Sequence, residues 1–158
     1  SLAGKSFIPL PAALANKKAI INMKNNDDQC FMWSVTRALN PVEDNPQRIT
    51  NLLREQSEKL CWKDIKFPVS LRDIEKFERN NAKHAISVNV YGYEKDVYPL
   101  RIAEKQERVI DLLLFAESET QHYCLIKNMS RLLASVFFSA DNNCYFSSIS
   151  VFQYLFQL

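Results

Sequence analysis

The spacing of the apolar residues changes near residue 85, and this change limits the possible folds more than any other feature of the chain. Before it, apolar residues recur three and four apart, as in the segment 30–39, which is typical of an amphipathic helix. After it, Ile86, Val88 and Val90 alternate with polar or aromatic residues, which predicts a half-buried strand. Helices followed by strands predict an α+β fold in which N-terminal helices pack on a mostly antiparallel sheet.

The first half of the chain carries signals for three helices. The first is expected over 30–39, with Asp27 or Asp28 as its N-cap. The pair Asn45-Pro46 is typical of an N-cap followed by the first helical residue and predicts the start of the second. A sequence similar to a capping box at 70–73 predicts a third, short helix that ends near Asn80.

The second half of the chain carries the strand signals, and a short apolar run near the start adds one more. Pro99 predicts that its strand lies at a sheet edge, because proline cannot donate a hydrogen bond to a neighbour. The run 109–115 is almost wholly apolar, which is typical of a central strand. The expected strands are 19–21, 86–91, 97–102, 109–115 and 122–127.

Length and composition predict one globular domain over residues 1–158. A chain of 158 residues with 47% hydrophobic and 24% charged residues can bury a core without disulfides or metals. Residues 1–18 are expected to form an irregular lead-in, and residues 134–158 a divergent apolar tail. The uncharged end of this tail predicts either one or two further core strands or a surface that another chain covers. Because the sequence begins at Ser1, we expect a piece of a longer protein.

Several classes of function are disfavoured by composition. The only glycines are Gly4 and Gly92, whereas loops that bind nucleotide phosphates need clustered glycine. A net charge of +2 argues against a nucleic-acid-binding domain. No apolar run reaches the length of a membrane span or a signal peptide. The four cysteines show no metal-binding or disulfide spacing, which predicts reduced thiols in the cytoplasm or nucleus and no cofactor.

Cys30 and His122 are the residues best suited to chemistry. Cys30 lies where a polar loop enters a helix, and the partial positive charge of a helix N-terminus favours the thiolate. His122 lies at the start of a predicted strand and is one of only two histidines in the chain. A nucleophilic cysteine needs a base, and the order cysteine then histidine is that of papain-like thiol peptidases. The alternatives are a buried structural cysteine and a structural histidine. Zinc held by Cys30, His122 and Cys124 would lack a fourth ligand, so no metal is expected.

Two short motifs resemble those of a known enzyme family. The segment DDQCF at 27–31 resembles the D-x-x-C-[LF] motif of ovarian-tumour (OTU) type deubiquitinases. The pair His122-Tyr123 resembles the histidine–aromatic pair near the end of that fold, and the segments 86–91 and 110–115 resemble the strands that precede it.

A longer, ordered resemblance covers about residues 7–133. It includes FIPLPAALANKKAIINMKNNDDQCFMWSVTRALNP, FPVSLRDIEKFERNN, ISVNVYGYE, YPLRI and HYCLIKNMSRLL. These segments look like a domain found upstream of the B-family DNA polymerase in Maverick/Polinton-type transposons. That domain is similar in layout to papain-fold deubiquitinases, including the herpesviral large-tegument type. The resemblance implies a papain-like cysteine peptidase fold and ubiquitin or polyubiquitin as partner.

The resemblance also implies roles for individual residues. Cys30 would be the nucleophile and His122 the base that later protonates the leaving amine. Asn25 would donate its amide to the oxyanion, or else only cap the loop, and Asp27 would hold the loop. Trp33 would line the groove for the Gly-Gly end of ubiquitin, or else only pack in the core.

The third member of the catalytic triad is left open. Tegument-type enzymes have an aspartate two residues before the histidine, where this chain has Thr120. OTU-type enzymes often have an asparagine two residues after it, where this chain has Cys124. Glu119 and Asn128 are further candidates, and a cysteine–histidine dyad without a third side chain is another possibility.

These features predict a deubiquitinase, a thiol hydrolase that cleaves peptide or isopeptide bonds after the ubiquitin C-terminus. Two alternatives remain. One is an inactive protein-binding module of a transposon polymerase, and the other is a processing peptidase with a substrate other than ubiquitin.

Overall fold

The helices occupy mainly the first half of the chain, in a computed structural model that describes residues 7–138 and 144–147. Within these residues no helix is long and apolar enough to cross a membrane. The helices are α1 (Ala12–Ala15), α2 (Cys30–Leu39), α3 (Asn51–Glu58), α4 (Ile74–Asn80) and α5 (Met129–Leu133), with 3-10 turns at Leu71–Asp73 and Ala82–His84.

Within the described residues five strands form a mixed sheet: β1 (Ile20–Ile21), β2 (Ile86–Tyr93), β3 (Val97–Arg101), β4 (Arg108–Glu117) and β5 (Thr120–Ile126). Their order across the sheet is β1-β5-β4-β2-β3. Only β2 and β4 are parallel; the other neighbouring pairs are antiparallel, so the expected α+β class and mostly antiparallel sheet are confirmed. The edge position predicted from Pro99 and the central position predicted for 109–115 are also confirmed.

The parallel pair arises from the loop at 102–107, which carries the chain from β3 past the start of β2 to β4. Two side chains of β2 stabilise this loop by accepting hydrogen bonds from its backbone N–H groups. Asn89 Oδ1 accepts from the N–H of Ala103 at 2.9 Å, and Ser87 Oγ accepts from that of Gln106 at 3.2 Å. Two polar residues of the predicted strand therefore hold the crossing loop in place.

Both faces of the sheet are covered, so the expectation that β2 is half-buried was wrong. α2 and α4 supply Phe31, Val35 and Phe77 to the core on one face. On the other face, Leu14 of α1 and Leu132 of α5 pack against the sheet. Alternate residues of a strand point to opposite faces, and here each face meets a helix.

The helix starts differ from the sequence predictions in two places. The second helix begins at Asn51 rather than at Asn45-Pro46, because Thr50 caps it by accepting from the N–H of Leu53 at 3.1 Å. Asn45 has a left-handed backbone (φ 45°), which suits a turn. Before α4, the 3-10 turn takes the place of a capped first turn, and Ser70 makes no capping bond. The predicted bounds of α2 and the end of α4 at Asn80 are confirmed.

Two further strands, β6 (Ser135–Phe138) and β7 (Cys144–Ser147), form an antiparallel pair. They fall in the predicted apolar tail, and the other residues after 138 lie outside the described part of the chain.

Candidate active site

Cys30 is the first residue of α2, at the end of the polar loop that follows β1. The helix packs its apolar face beside β5 through Phe31 and Val35. This packing turns the N-terminus of the helix toward the edge of the sheet, and Cys30 is buried there with 4% of its surface exposed.

The edge of β5 is open to Cys30 because β1 is short. β1 pairs only with Leu125 and Ile126, so the N–H of Tyr123 is not used by that strand. It donates instead to Cys30 Sγ at 3.4 Å. The two backbone bonds between Tyr123 N and His122 Cα then place Sγ within about 6 Å of that Cα. The two residues predicted from sequence as a reactive pair are therefore neighbours.

The His122 imidazole is fully buried and has partners on one side only. Its Nε2 lies 2.7 Å from Asn22 Oδ1. Its Nδ1 is buried and has no hydrogen-bond partner among the described residues, so no hydrogen bond joins the thiol to the imidazole. Because Nε2 is bonded to Asn22, Nδ1 is the ring nitrogen left for a reacting group.

Asn22 was not predicted as a site residue. It directly follows β1 and lies 100 residues from His122 in sequence, so only the pairing of β1 with β5 brings the two together. The available signal was its place immediately after a predicted strand, at the start of the polar loop that leads to Cys30.

None of the third-member candidates hydrogen-bonds to the imidazole in the described structure, where Asn22 takes that place. Asn128 caps α5 by accepting from the N–H of Arg131 at 2.9 Å. Thr120 and Glu119 lie at the hairpin between β4 and β5, and Thr120 pairs with Glu117.

Asp27 holds the loop before α2 through its carboxylate. Its Oδ1 accepts from the N–H of Gln29 at 2.9 Å, and both carboxylate oxygens lie 3.1 Å from Trp33 Nε1. Gln29, not Asp27 or Asp28, is the N-cap residue of α2, and it makes no side-chain capping bond. Asp27 therefore orders the loop through the N–H of the N-cap residue Gln29 and is not itself the N-cap.

Asn25 faces the same loop in an orientation that differs from the implied oxyanion role. Its Nδ2 donates to the Asp27 carbonyl at 2.8 Å and to the Asp27 carboxylate at 3.2 Å. Its Oδ1 is buried and has no hydrogen-bond partner within the described part of the chain. An amide oxygen can only accept a hydrogen bond, so this unpaired end of the amide does not suit an oxyanion. The backbone N–H groups at the start of α2 are the donors left for that purpose.

Trp33 is a core residue with 3% of its surface exposed. It packs with Met23 and Leu53, and the guanidinium of Arg54 lies 5.5 Å from its ring centroid. Its indole N–H is the link between this small core and Asp27, which favours the packing interpretation over the groove wall.

Burial sets the charge state of the reactive pair. Desolvation raises the pKa of the Cys30 thiol, although the backbone N–H groups of Tyr123, Phe31 and Cys30 itself oppose that rise. Desolvation lowers the pKa of His122 to about 4. The thiol and the imidazole are therefore both neutral at neutral pH in the closed state.

Cys124 also lies at this site. Its Sγ donates to Asn22 Oδ1 at 3.5 Å, and burial raises the pKa of its thiol. Among residues 7–138 and 144–147, no three histidine, cysteine or acidic side chains are placed to hold a metal ion.

Comparisons with family models, with curated proteins and with solved structures found no match for this chain. The function of this chain is therefore inferred from the arrangement of Cys30, His122 and Asn22. A thiol at a helix N-terminus, a neighbouring histidine and an amide oxygen bonded to its Nε2 are the parts that acyl transfer through a thioester needs.

Proposed function

We propose that this chain is a thiol hydrolase with a papain-like fold that cleaves peptide or isopeptide bonds after the ubiquitin C-terminus. One observation carries the proposal: His122 lies beside Cys30 with its Nε2 held by Asn22 and its Nδ1 unpaired. In this proposal Cys30 is the nucleophile, His122 the general base and acid, and Asn22 the residue that orients the ring.

The reaction has two steps. Nδ1 of His122 takes the proton from the Cys30 thiol as Sγ bonds to the substrate carbonyl carbon, and the oxyanion lies near the backbone N–H groups that begin α2. The carbon–nitrogen bond then breaks, and the leaving amine takes the proton from His122. In the second step His122 removes a proton from water, the resulting hydroxyl bonds to the carbonyl carbon, and the thiol leaves with that proton.

Ubiquitin is proposed as the substrate from the resemblance to OTU-type and tegument-type enzymes and to the transposon domain. The burial of Cys30 is consistent with it, because a closed site admits a chain end without side chains more readily than a bulky one. The Gly-Gly end of ubiquitin is such a chain end. We include in the proposal that the chain is the cysteine-peptidase-like domain of a Maverick/Polinton-type transposon.

An inactive binding module is the second candidate function, and the state of the Cys30 thiol and the His122 imidazole without substrate favours it. The thiol and the imidazole share no hydrogen bond in the closed state, and burial holds both in their neutral forms. The enzyme proposal requires that substrate binding opens the site and brings these groups into contact.

A ubiquitin probe with a C-terminal propargyl group tests the proposal. We expect a mass increase of one ubiquitin on the unchanged protein and none on Cys30→Ala. The matched control is Cys61→Ala, since Cys61 is an exposed thiol outside the site and its loss should leave labelling unchanged. Labelling of Cys30→Ala would contradict the assignment of the nucleophile. Absence of labelling in the folded protein would favour the binding module.

A further inference from the structure

The backbone of the lead-in segment reaches the candidate site through Asn22. The carbonyl of Ile8 accepts a hydrogen bond from Asn22 Nδ2 at 2.7 Å. Phe7 and Ile8 are held in place by the buried Ile8 side chain, with 6% of its surface exposed, and by the N–H of Phe7, which donates to the Asn25 carbonyl at 3.0 Å.

The Ile8 carbonyl decides which end of the Asn22 amide faces His122. A carbonyl can only accept, so the amide nitrogen must point toward Ile8 and the amide oxygen toward the imidazole. The thiol of Cys124, which donates to the same oxygen, supports this orientation. A reversed amide would place its nitrogen against the ring and its oxygen against the Ile8 carbonyl, where two acceptors would face each other.

The orientation of Asn22 in turn decides which ring nitrogen carries the proton. An amide oxygen 2.7 Å from Nε2 requires a proton on Nε2. A neutral imidazole has one ring proton, so Nδ1 then carries a lone pair. Nδ1 is the unpaired nitrogen of the site, and a lone pair there can accept the proton of a thiol.

We propose that the Ile8 carbonyl is a positioning group that selects the base-competent tautomer of His122 through Asn22. The proposal rests on the proposed thiol hydrolase and adds the lead-in segment to its site. The segment would then act on catalysis without contacting substrate.

The tautomer can be measured directly, because the chain has only two histidines. A two-bond proton–nitrogen correlation spectrum near pH 7.5 reports which ring nitrogen is protonated, and His84→Gln identifies the signals of His122. We expect the proton of His122 on Nε2. A proton on Nδ1, or an even mixture of the two tautomers, would overturn the proposal whether or not the protein hydrolyses ubiquitin.

A double-mutant cycle tests the role of Ile8 in the full chain. Ile8→Gly removes the side chain that anchors the carbonyl, and we expect it to slow labelling by the ubiquitin probe about tenfold, as for the loss of one hydrogen bond. In an Asn22→Asp background, Ile8→Gly should lower the labelling rate by less than about twofold, since a carboxylate offers an acceptor oxygen in either orientation. Leu14→Gly, which removes a similarly buried side chain that makes no hydrogen bond to the site, is the control and should label at close to the unchanged rate.

The outcomes separate this inference from the proposed function. An equal loss on Ile8→Gly in both backgrounds, or no loss in either, overturns the role of Ile8. If no variant is labelled, the proposed function fails, and the tautomer spectrum alone then decides whether Ile8 and Asn22 set the state of the ring.

Discussion

Burial in the folded chain disfavours the protonated form of His122. Its pKa is about 4 in the folded chain and near 6.5 in an unfolded one. Between these values the unfolded chain binds a proton that the folded chain does not, so stability falls as pH falls below 6.5 and levels off near 4.

The loss of stability should approach about 1.4 kcal/mol per pH unit in this range. Urea unfolding at pH 7 and pH 5 measures it, and His122→Gln removes it while leaving every other titrating group in place. We expect a smaller loss in that variant. An equal loss in both proteins would mean that His122 is not buried in its neutral form.

Cys30 should be unreactive in the resting protein toward a small reagent. It is buried and burial raises the pKa of its thiol, whereas Cys61 is exposed. We expect iodoacetamide to alkylate Cys61 at least about tenfold faster, because the thiolate is the reactive form. Mass spectrometry of the modified peptides gives both rates. Faster alkylation of Cys30 would show that the site is open and charged without substrate.

At the scale of elements, the loop between β1 and α2 carries most of the site. Trp33, one turn into α2, reaches back to Asp27, and Asp27 holds the backbone just before Cys30. The position of the nucleophile therefore depends on a tryptophan that contacts no reacting atom.

Trp33→Phe should slow labelling by the ubiquitin probe severalfold and lower the free energy of unfolding by about 1 kcal/mol, as for one lost hydrogen bond. Trp62→Phe is the matched control. Its indole N–H donates to the Ser57 carbonyl at 2.8 Å, so its loss has a similar cost in stability, but it lies outside the loop. Equal labelling rates in the two variants would contradict a positioning role for Trp33.

The positions of helices and strands could be predicted from the sequence more accurately than the contacts between them. Local patterns placed α2, the end of α4 and the edge strand correctly, because apolar spacing and proline act over a few residues. The start of α3 was misplaced, since Asn45-Pro46 and Thr50 both suit a helix N-terminus. Cys30 and His122 could be chosen by residue type, whereas Asn22 required the pairing of strands about 100 residues apart.

At the scale of the whole molecule, an aromatic cluster joins the helical layer to the sheet. Phe31 makes edge contacts with Phe77 at 5.4 Å and with Tyr123 at 5.3 Å between ring centroids, and Trp62 stacks on Phe77 at 4.8 Å. Phe31 and Tyr123 directly follow Cys30 and His122. The contact between Phe31 and Tyr123 therefore also joins the two halves of the site.

Phe77→Ala should lower the free energy of unfolding by about 3–5 kcal/mol, because it leaves a cavity in the centre of the cluster. Leu52→Ala serves as the control, since Leu52 is 60% exposed and its loss should change stability by less than about 0.5 kcal/mol. Denaturant unfolding measures both. A loss below about 1 kcal/mol for Phe77→Ala would mean that the cluster does not join the two layers as described.

Hydrolysis of ubiquitin with a fluorogenic amine on its C-terminus tests the central claim most directly, because it requires the whole cycle at Cys30 and His122. We predict steady release of the amine by the unchanged protein and by Cys61→Ala. Release should fall to the uncatalysed rate with Cys30→Ala or His122→Ala. Undiminished release by Cys30→Ala, or no release by the folded, unchanged protein, would contradict a ubiquitin hydrolase that works through these residues.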